Sequence, residues 1–317
     1  MEKYDEADLR AIERSERLDA NESVFFARQL EYIRSKTYDI KKVQLNAIMR
    51  MPFSTSVPEG AEYITYRQYD TVGMAKVIAN YADDLPRADV KAKEFTTPIR
   101  SIGNSYGYNV QEIRAAMYGR VNLKERKAMA AVRAQWEKIN KLAFFGDEDA
   151  GLPGLFSNTN ISTYTIPADG NSTSKKFKDK TSEQIVRDIL GLVNSVVVVT
   201  NGVHRVNEVW MPIEQYANIS TKKNSDSSDI TVLEYVKKAC PGVGFYPIVE
   251  CKGAGSGSSD VMIAMENSPE NWQLEAPMVT KQYPPQLKGL EYVIPVESRY
   301  AGVIIEYPLA FCKAEGI

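Results

Sequence analysis

The chain has 317 residues, 44% apolar and 25% charged, with a formal net charge of −2. That length supports a sizeable core in two compact lobes or in one elongated domain with subdomains, and the balance excludes disordered and fibrous classes. The near-neutral charge argues against a dedicated nucleic-acid binder, and the absence of a span-length apolar run or a signal-peptide core points to a cytoplasmic protein without a membrane partner.

Residues 1–22 hold eight acids (Glu2, Asp5, Glu6, Asp8, Glu13, Glu16, Asp19, Glu22) against four bases (Lys3, Arg10, Arg14, Arg17). They read as a solvated, helix-prone terminus or as a segment that contacts a partner, and their charge would repel DNA. Phe25, Phe26, Leu30, Tyr32, Ile33, Tyr38 and Ile40 follow among Arg and Lys, too apolar for water and poorly periodic. They need a surface, on this chain or on another. Residues 57–100 carry seven acids and six bases around the strand-like EYITYRQY and VKAKEFTT. Tyr63, Tyr66 and Tyr69 fall on both faces of an alternating strand, so neither face is marked for burial within the subunit. An isolated hairpin is marginal in water, so this one is either a surface hairpin of one domain or a loop supported by a neighbour.

NVQEIRAAMY (109–118) reads as a short helix ended by Gly119. Asn122 and Glu125 then form a capping-box pattern ahead of a helix over residues 123–145 with apolar positions Val132, Trp136, Ile139 and Ala143. Such a helix is about 35 Å long. Gly146 supplies the positive φ that leaves it. Residues 162–180, rich in Ser, Thr, Asn, Gly and Lys, read as a loop or hairpin tip. A second lobe opens at Thr181, a cap for an amphipathic helix with Ile185, Ile189, Leu192, Val193 and Val196. Short strands then alternate with helical pieces through EVWMPI (208–213), TVLEYVKKA (231–239), FYPIVE (245–250) and VMIAME (261–266), which makes the class α+β. YVIPVE and AGVIIEY, within residues 285–309, return as strands beside the long helix, so the chain is expected to finish in the lobe where it began.

Catalytic material is scarce. His204 is the only histidine, and Cys240, Cys251 and Cys312 form no CxxC, so neither a hydrolase triad nor a zinc site is expected, and the thiols read as free. KGAGSGSS (252–259) lacks the lysine of a phosphate loop and the order of a dinucleotide loop, leaving a flexible rim connection between two strands. The acids at 147–149 lack EF-hand spacing. They lie just past a helix C-terminus, where its dipole disfavours them, and are expected to meet basic groups of another segment or subunit, Arg299 being one candidate. No cofactor, metal or catalytic residue is assigned.

FFARQLEYIRSKTYDIKK (25–42), the DLP at 84–86 and GDEDAGLPGLFSN (146–158), in this order, resemble a tailed-bacteriophage major capsid protein with the HK97-like fold. The resemblance implies an N-terminal arm (1–56), an extended loop (57–100), a peripheral domain with the spine helix (101–180 and 281–317) and an axial domain (181–280). Its subunit-interface residues would be Phe25, Phe26, Tyr32 and Tyr38 in the arm, Asp83, Asp84, Arg87, Lys91 and Lys93 in the loop, and Arg299. It implies a non-enzymatic protein that self-assembles in many copies into an icosahedral shell, with scaffold and portal proteins as partners. The shell would enclose phage DNA without sequence-specific binding, in a virion assembled in the host cytoplasm. Some such shells join a loop lysine to an asparagine with a glutamate as base, which would draw attention to Lys76, Lys91 and Lys93, but no pattern marks the other two groups. The alternative of the same architecture is an encapsulin-like shell around a protein cargo. A metabolic enzyme and a monomeric binding module are the rivals from other classes.

Overall fold

In the computed structural model, which describes residues 42–72, 89–119, 123–225 and 229–317, the chain opens with helix α1 (Asn46–Arg50) and strand β1 (Phe53–Ser54). Strands β2 (Tyr63–Val72) and β3 (Asp89–Pro98) form an antiparallel hairpin, and β4 (Arg100–Asn109) follows one residue later. Asn109 starts helix α2 (Val110–Gly119) by accepting the Gln111 N–H at 3.2 Å, as short polar side chains do at helix N-termini. The long helix α3 spans Leu123–Phe145. Its expected cap at Asn122 lies outside the described residues.

Beyond a two-residue strand β5 (Ser162–Thr163), the segment to residue 180 is mostly irregular, as its composition predicts. It is nevertheless anchored, with Ile166 and Phe177 fully buried. Helix α4 (Ser182–Val199) starts at Thr181 with a complete capping box to Gln184 and buries Ile185, Ile189, Leu192, Val193 and Val196. Strand β6 (Glu208–Met211) stops before Pro212, and residue 213, expected in a strand, instead opens helix α5 (Ile213–Thr221). Proline cannot donate to a strand ladder, but its fixed φ suits the entrance of a helix. Helix α6 (Val232–Ala239) and strands β7 (Gly244–Pro247), β8 (Val261–Met265), β9 (Trp272–Glu275), β10 (Met278–Gln282), β11 (Gln286–Lys288), β12 (Glu291–Tyr300), β13 (Gly302–Ile305) and β14 (Phe311–Glu315) complete the order.

Strand β12 pairs with β4 along all ten residues on one edge and with β11 and β10 on the other, and α3 packs on this sheet. Strand β9 lies between β1 and β13. A third sheet has the order β5-β14-β8-β6-β7. The return of the chain is therefore split: β12 comes back beside the long helix, whereas β14 pairs with β8 and β5. Strand pairing between residues so distant in sequence leaves no local signal.

All five residues of VMIAM in β8 are buried. Successive strand side chains point to opposite faces. Accordingly Ile263 and Met265 join a core with Leu142, Phe144, Trp210, Trp272, Tyr300 and Phe311, while Met262 and Ala264 join one with Phe177, α4 and α6. One sheet thus separates two apolar clusters, and residues 45–317 form one compact unit.

Candidate assembly interface

The β2–β3 hairpin is exposed along much of its described length, with Tyr63 61% accessible. Its contacts are mostly internal: Tyr66 stacks on Phe95 at 5.1 Å, Thr65 and Thr96 hydroxyls meet at 3.0 Å, and Arg67 pairs with Glu94 at 2.6 Å in solvent. An ion pair that exposed contributes little. Beyond these, the Tyr66 hydroxyl donates to the Ile305 carbonyl at 3.4 Å, and further anchoring lies at the root. Ile99 is buried and donates its N–H to the Glu62 carbonyl at 2.8 Å, and Arg100 Nε donates to the Ala150 carbonyl at 2.9 Å. Just upstream, Glu59 takes an ion pair from Lys281 at 3.3 Å, and Arg299 Nη1 donates to its carbonyl.

The turn after α3 explains the GDEDAGLPGL sequence. Gly146 has φ 70°, and the chain doubles back so that the Leu155 and Phe156 N–H groups donate to the Ala143 and Phe144 carbonyls, each at 2.8 Å. The two strands of the turn approach so closely that a Cβ on Gly154 would lie 2.2 Å from the Gly146 nitrogen. Pro153 then accepts the Val303 N–H at 3.0 Å and ties β13 to the turn.

A polar staple joins the entry of the chain to α3. Asn46 and Asn140 each donate a side-chain N–H to the Glu250 carboxylate at 2.6 Å, and Asn140 Oδ1 accepts the Ala47 N–H at 2.9 Å. A second network fixes the 162–180 segment on α4: the fully buried Lys180 ammonium bonds to Asp188, to the Pro167 carbonyl at 2.7 Å and to Asp169 at 3.2 Å. Arg187 bridges Asp169 and Asp188, and its hydrogen bond is the main reason the Asp169 carboxyl is held down at about 2.

A family model described as major capsid protein matches residues 73–317. The chain belongs to the major capsid protein family. It is similar in structure to the capsid of Myoviridae phage XM1, with a TM-score of 0.78 and 16% identity over 93% of this chain and 99% of that one. It is also similar to the capsid of the native GTA particle, with a TM-score of 0.66 and 9% identity over 94% and 99%. Mycobacterium phage Adephagia gives a TM-score of 0.60 and 12% identity over 88% and 90%. No curated protein matches. The fold is the α+β capsid fold expected from the HK97-like resemblance, the role is structural rather than catalytic, and the encapsulin-like alternative is not favoured. Capsid proteins act as many copies in a shell, and the place of this one is the virion capsid.

Within this capsid protein, the residues expected at the interface, Phe25, Phe26, Tyr32, Tyr38, Asp83, Asp84 and Arg87, lie outside the described residues, as does Lys76. Lys91 sits on β3, and Lys93 Nζ rests over the Phe95 ring at 4.8 Å. Among the described residues of one copy, Arg299 does not meet the acids of the 146–154 turn. It faces the loop root at Glu59, and the acid that pairs within the subunit, Asp147, does so with Lys138 of α3 at 3.7 Å. Residues 252–259, expected to be flexible, are tied down: Gly253 donates to Asp260 Oδ1 at 3.1 Å, and the Ser256 N–H and hydroxyl donate to Glu315 Oε2 at 3.1 and 2.8 Å. Those bonds lower the Glu315 carboxyl from its usual range. His204 pairs its Nδ1 with Glu266 at 2.7 Å, and Cys240, Cys251 and Cys312 are free.

Sequence reasoning missed two features. The Asn46–Glu250–Asn140 staple joins residues up to 204 positions apart, and single polar residues carry no periodic signal. The other is a groove of about 630 Å³ between α2, α3 and the β4–β12 sheet, lined by Tyr106, Tyr108, Ile113, Ala128, Tyr292 and Ile294 among others. The alternation in SYGYN hints at Tyr106 and Tyr108 sharing a face. Their pairing with Ile294 and Tyr292 is visible only in the register.

Proposed function

We propose that this capsid protein closes into an icosahedral shell around a phage DNA genome, with residues 57–100 acting as an extended loop and residues 1–56 as an arm, both laid on neighbouring copies. Residues 101–180 and 281–317 serve as the peripheral part and 181–280 as the axial part, with the last strand shared between them. The interface role belongs to Phe25, Phe26, Tyr32 and Tyr38, to Asp83, Asp84, Arg87, Lys91 and Lys93, and to Arg299, which holds the loop root. Scaffold and portal proteins act as assembly partners in the host cytoplasm, and DNA is contained without sequence-specific contacts.

The observation that carries this reading is the hairpin: ten residue pairs in register, with one face half-buried near the root and the other exposed. Two strands without further support are marginal in water. A neighbouring copy supplies that support, and contacts of this kind bury on the order of 1,500 Å² in total. Repeated around a closed lattice, moderate contacts give firm closure. Replacing residues 66–95 by a short turn is expected to leave a soluble, folded subunit that forms no particles in electron microscopy and light scattering. Closed particles from that variant would show that the loop does not bridge subunits.

A further inference from the structure

The sheet of β1, β9 and β13 has one face in the core, where Trp272, Leu274, Val303 and Ile305 are buried. Its other face carries Ser54, Gln273, Glu275, Gly302 and Ile304, with Glu306 just past the end of β13. The root of the β2–β3 hairpin lies over this second face. Tyr66, Phe95 and Thr97 stand against Ile304 and Glu306, and the Tyr66 hydroxyl reaches the Ile305 carbonyl. Beneath it Ile304 is 5% exposed and Glu275 8%. Glu275 and Glu306 each hold one carboxylate oxygen, Oε2, buried without a protein hydrogen-bond partner. A carboxylate buried in that way favours its neutral form.

The geometry points to the hairpin root as a latch, closed on β13 when Glu275 and Glu306 take up protons and opened when they lose them. The surroundings supply little to hold two negative charges. Facing the pair, β1 offers the Ser54 hydroxyl, β2 offers Tyr66 and Gln68, and the turn after α3 offers Asn158 and Asn160. Lys93 of β3 is the cation among the described residues lining this face, and its ammonium rests over the Phe95 ring at 4.8 Å. Arg67 and Glu94 pair with each other on the opposite face of the hairpin, and Lys281 and Arg299 are engaged with Glu59. Burial pushes both carboxyls above the usual glutamate range, and at Glu306 the charge of Glu275 adds to the rise. Burial and the Glu306 charge also raise the Tyr66 phenol, which ties the hairpin to the carboxyl below it. Carboxyls that are raised in the closed state and ordinary in the open one bind protons on closing. Closure is therefore at full strength below the usual glutamate range and weakens as pH rises through the raised values. Opening would free the inner hairpin face of Ile64, Tyr66, Phe95 and Thr97. The latch lies within one subunit and does not depend on where the rest of the loop goes.

The test follows hydrogen exchange of the full-length, unassembled subunit from about pH 4.5 to about pH 7.5, each rate being scaled for chemical exchange at that pH. Peptides covering residues 62–68 and 93–99 are expected to lose at least ~10-fold in protection across that range, while a peptide covering β8 keeps its own. Glu275→Gln combined with Glu306→Gln keeps both side chains neutral, and the root is then expected to stay at its low-pH protection throughout. Glu306→Gln alone removes one of the two protons and should give an intermediate fall. Root protection in the unaltered chain that does not change with pH would overturn the latch, whatever the stability of the variants. So would a fall of equal size in the double variant. A parallel fall in β8 would overturn it as well, because the two acids would then act on the whole subunit and not on the hairpin root.

Discussion

Gly154 shows how much of this fold is decided by single side chains. A Cβ there would run into the Phe145–Gly146 peptide unit, with Gly146 N, the Phe145 carbonyl carbon and Gly146 Cα at 2.2, 2.6 and 2.9 Å. Backbone cannot give way as the end of a flexible side chain does. Gly154→Ala is therefore expected at the upper end of overpacking penalties, about 3 kcal/mol, measured by chemical denaturation of the unassembled subunit. A loss below about 0.5 kcal/mol would mean that the turn relaxes freely. The sequence marked Gly146 as a helix exit, but it held no sign that Gly154 is needed for close approach. The polar residues divide in the same way. Thr181 and Gln184 cap α4 at a spacing that can be read locally. Lys180 looks like an ordinary surface base in a Lys-rich loop, yet it is fully buried against Asp188. A lone buried charge is too costly to retain, so its burial depends on a carboxylate eight residues ahead that only the fold brings into contact.

Helix α3 was legible in extent and only partly legible in function. Its bounds follow from periodicity and from Gly146. The predicted stripe holds at Ile139 and Ala143 but is displaced at its start: Val132 and Trp136 are half-buried, while Ala131 and Gln135 are 7% and 1% exposed. Hydropathy ranks glutamine as a surface residue. Here Gln135 Nε2 donates to the Val296 carbonyl at 2.7 Å and to Asn104 Oδ1 at 3.1 Å, and Asn104 Nδ2 donates to the Ala131 carbonyl at 2.7 Å. The helix is thus held by polar and small groups over its first half, and by Ile139, Leu142, Ala143 and Phe144, each at most 2% exposed, over its second. Hydrogen exchange on the unassembled subunit should reflect this division, because protection follows buried apolar contact. Amides of residues 127–134 are expected to exchange at least ~10-fold faster than those of residues 139–145, a difference of about 1.4 kcal/mol in local opening. Uniform protection along the helix would mean that the polar contacts hold as firmly as the apolar core. The β2–β3 hairpin was legible as a strand pair, but its half-buried face of Ile64, Tyr66, Phe95 and Thr97 was not, because tyrosines three apart fall on both faces.

At the scale of the whole molecule, the sequence suggests two lobes and the core joins them. Strand β8 is the shared wall, with Met262 in the cluster of Phe177, α4 and α6 and Ile263 in the cluster of the three tryptophans. Trp210 and Trp272 are fully buried in that second group and Trp136 packs against it, so tryptophan fluorescence reports one side of the sheet alone, whereas far-ultraviolet circular dichroism reports helices on both. Removing a buried Met or Ile side chain to Ala costs about 2–5 kcal/mol. If the two clusters unfold as one unit, Met262→Ala and Ile263→Ala should each lower the denaturation midpoint by that measure, with the fluorescence and dichroism curves coinciding in both variants. The informative variant is Met262→Ala, which alters the side without tryptophans. A fluorescence midpoint left at its original position, while the dichroism curve splits or moves, would show that the clusters fold independently and that β8 joins them only mechanically. A coincident shift would show that strain applied to either side of β8 is shared by the whole subunit, which suits a protein that acts as one of many copies in a shell.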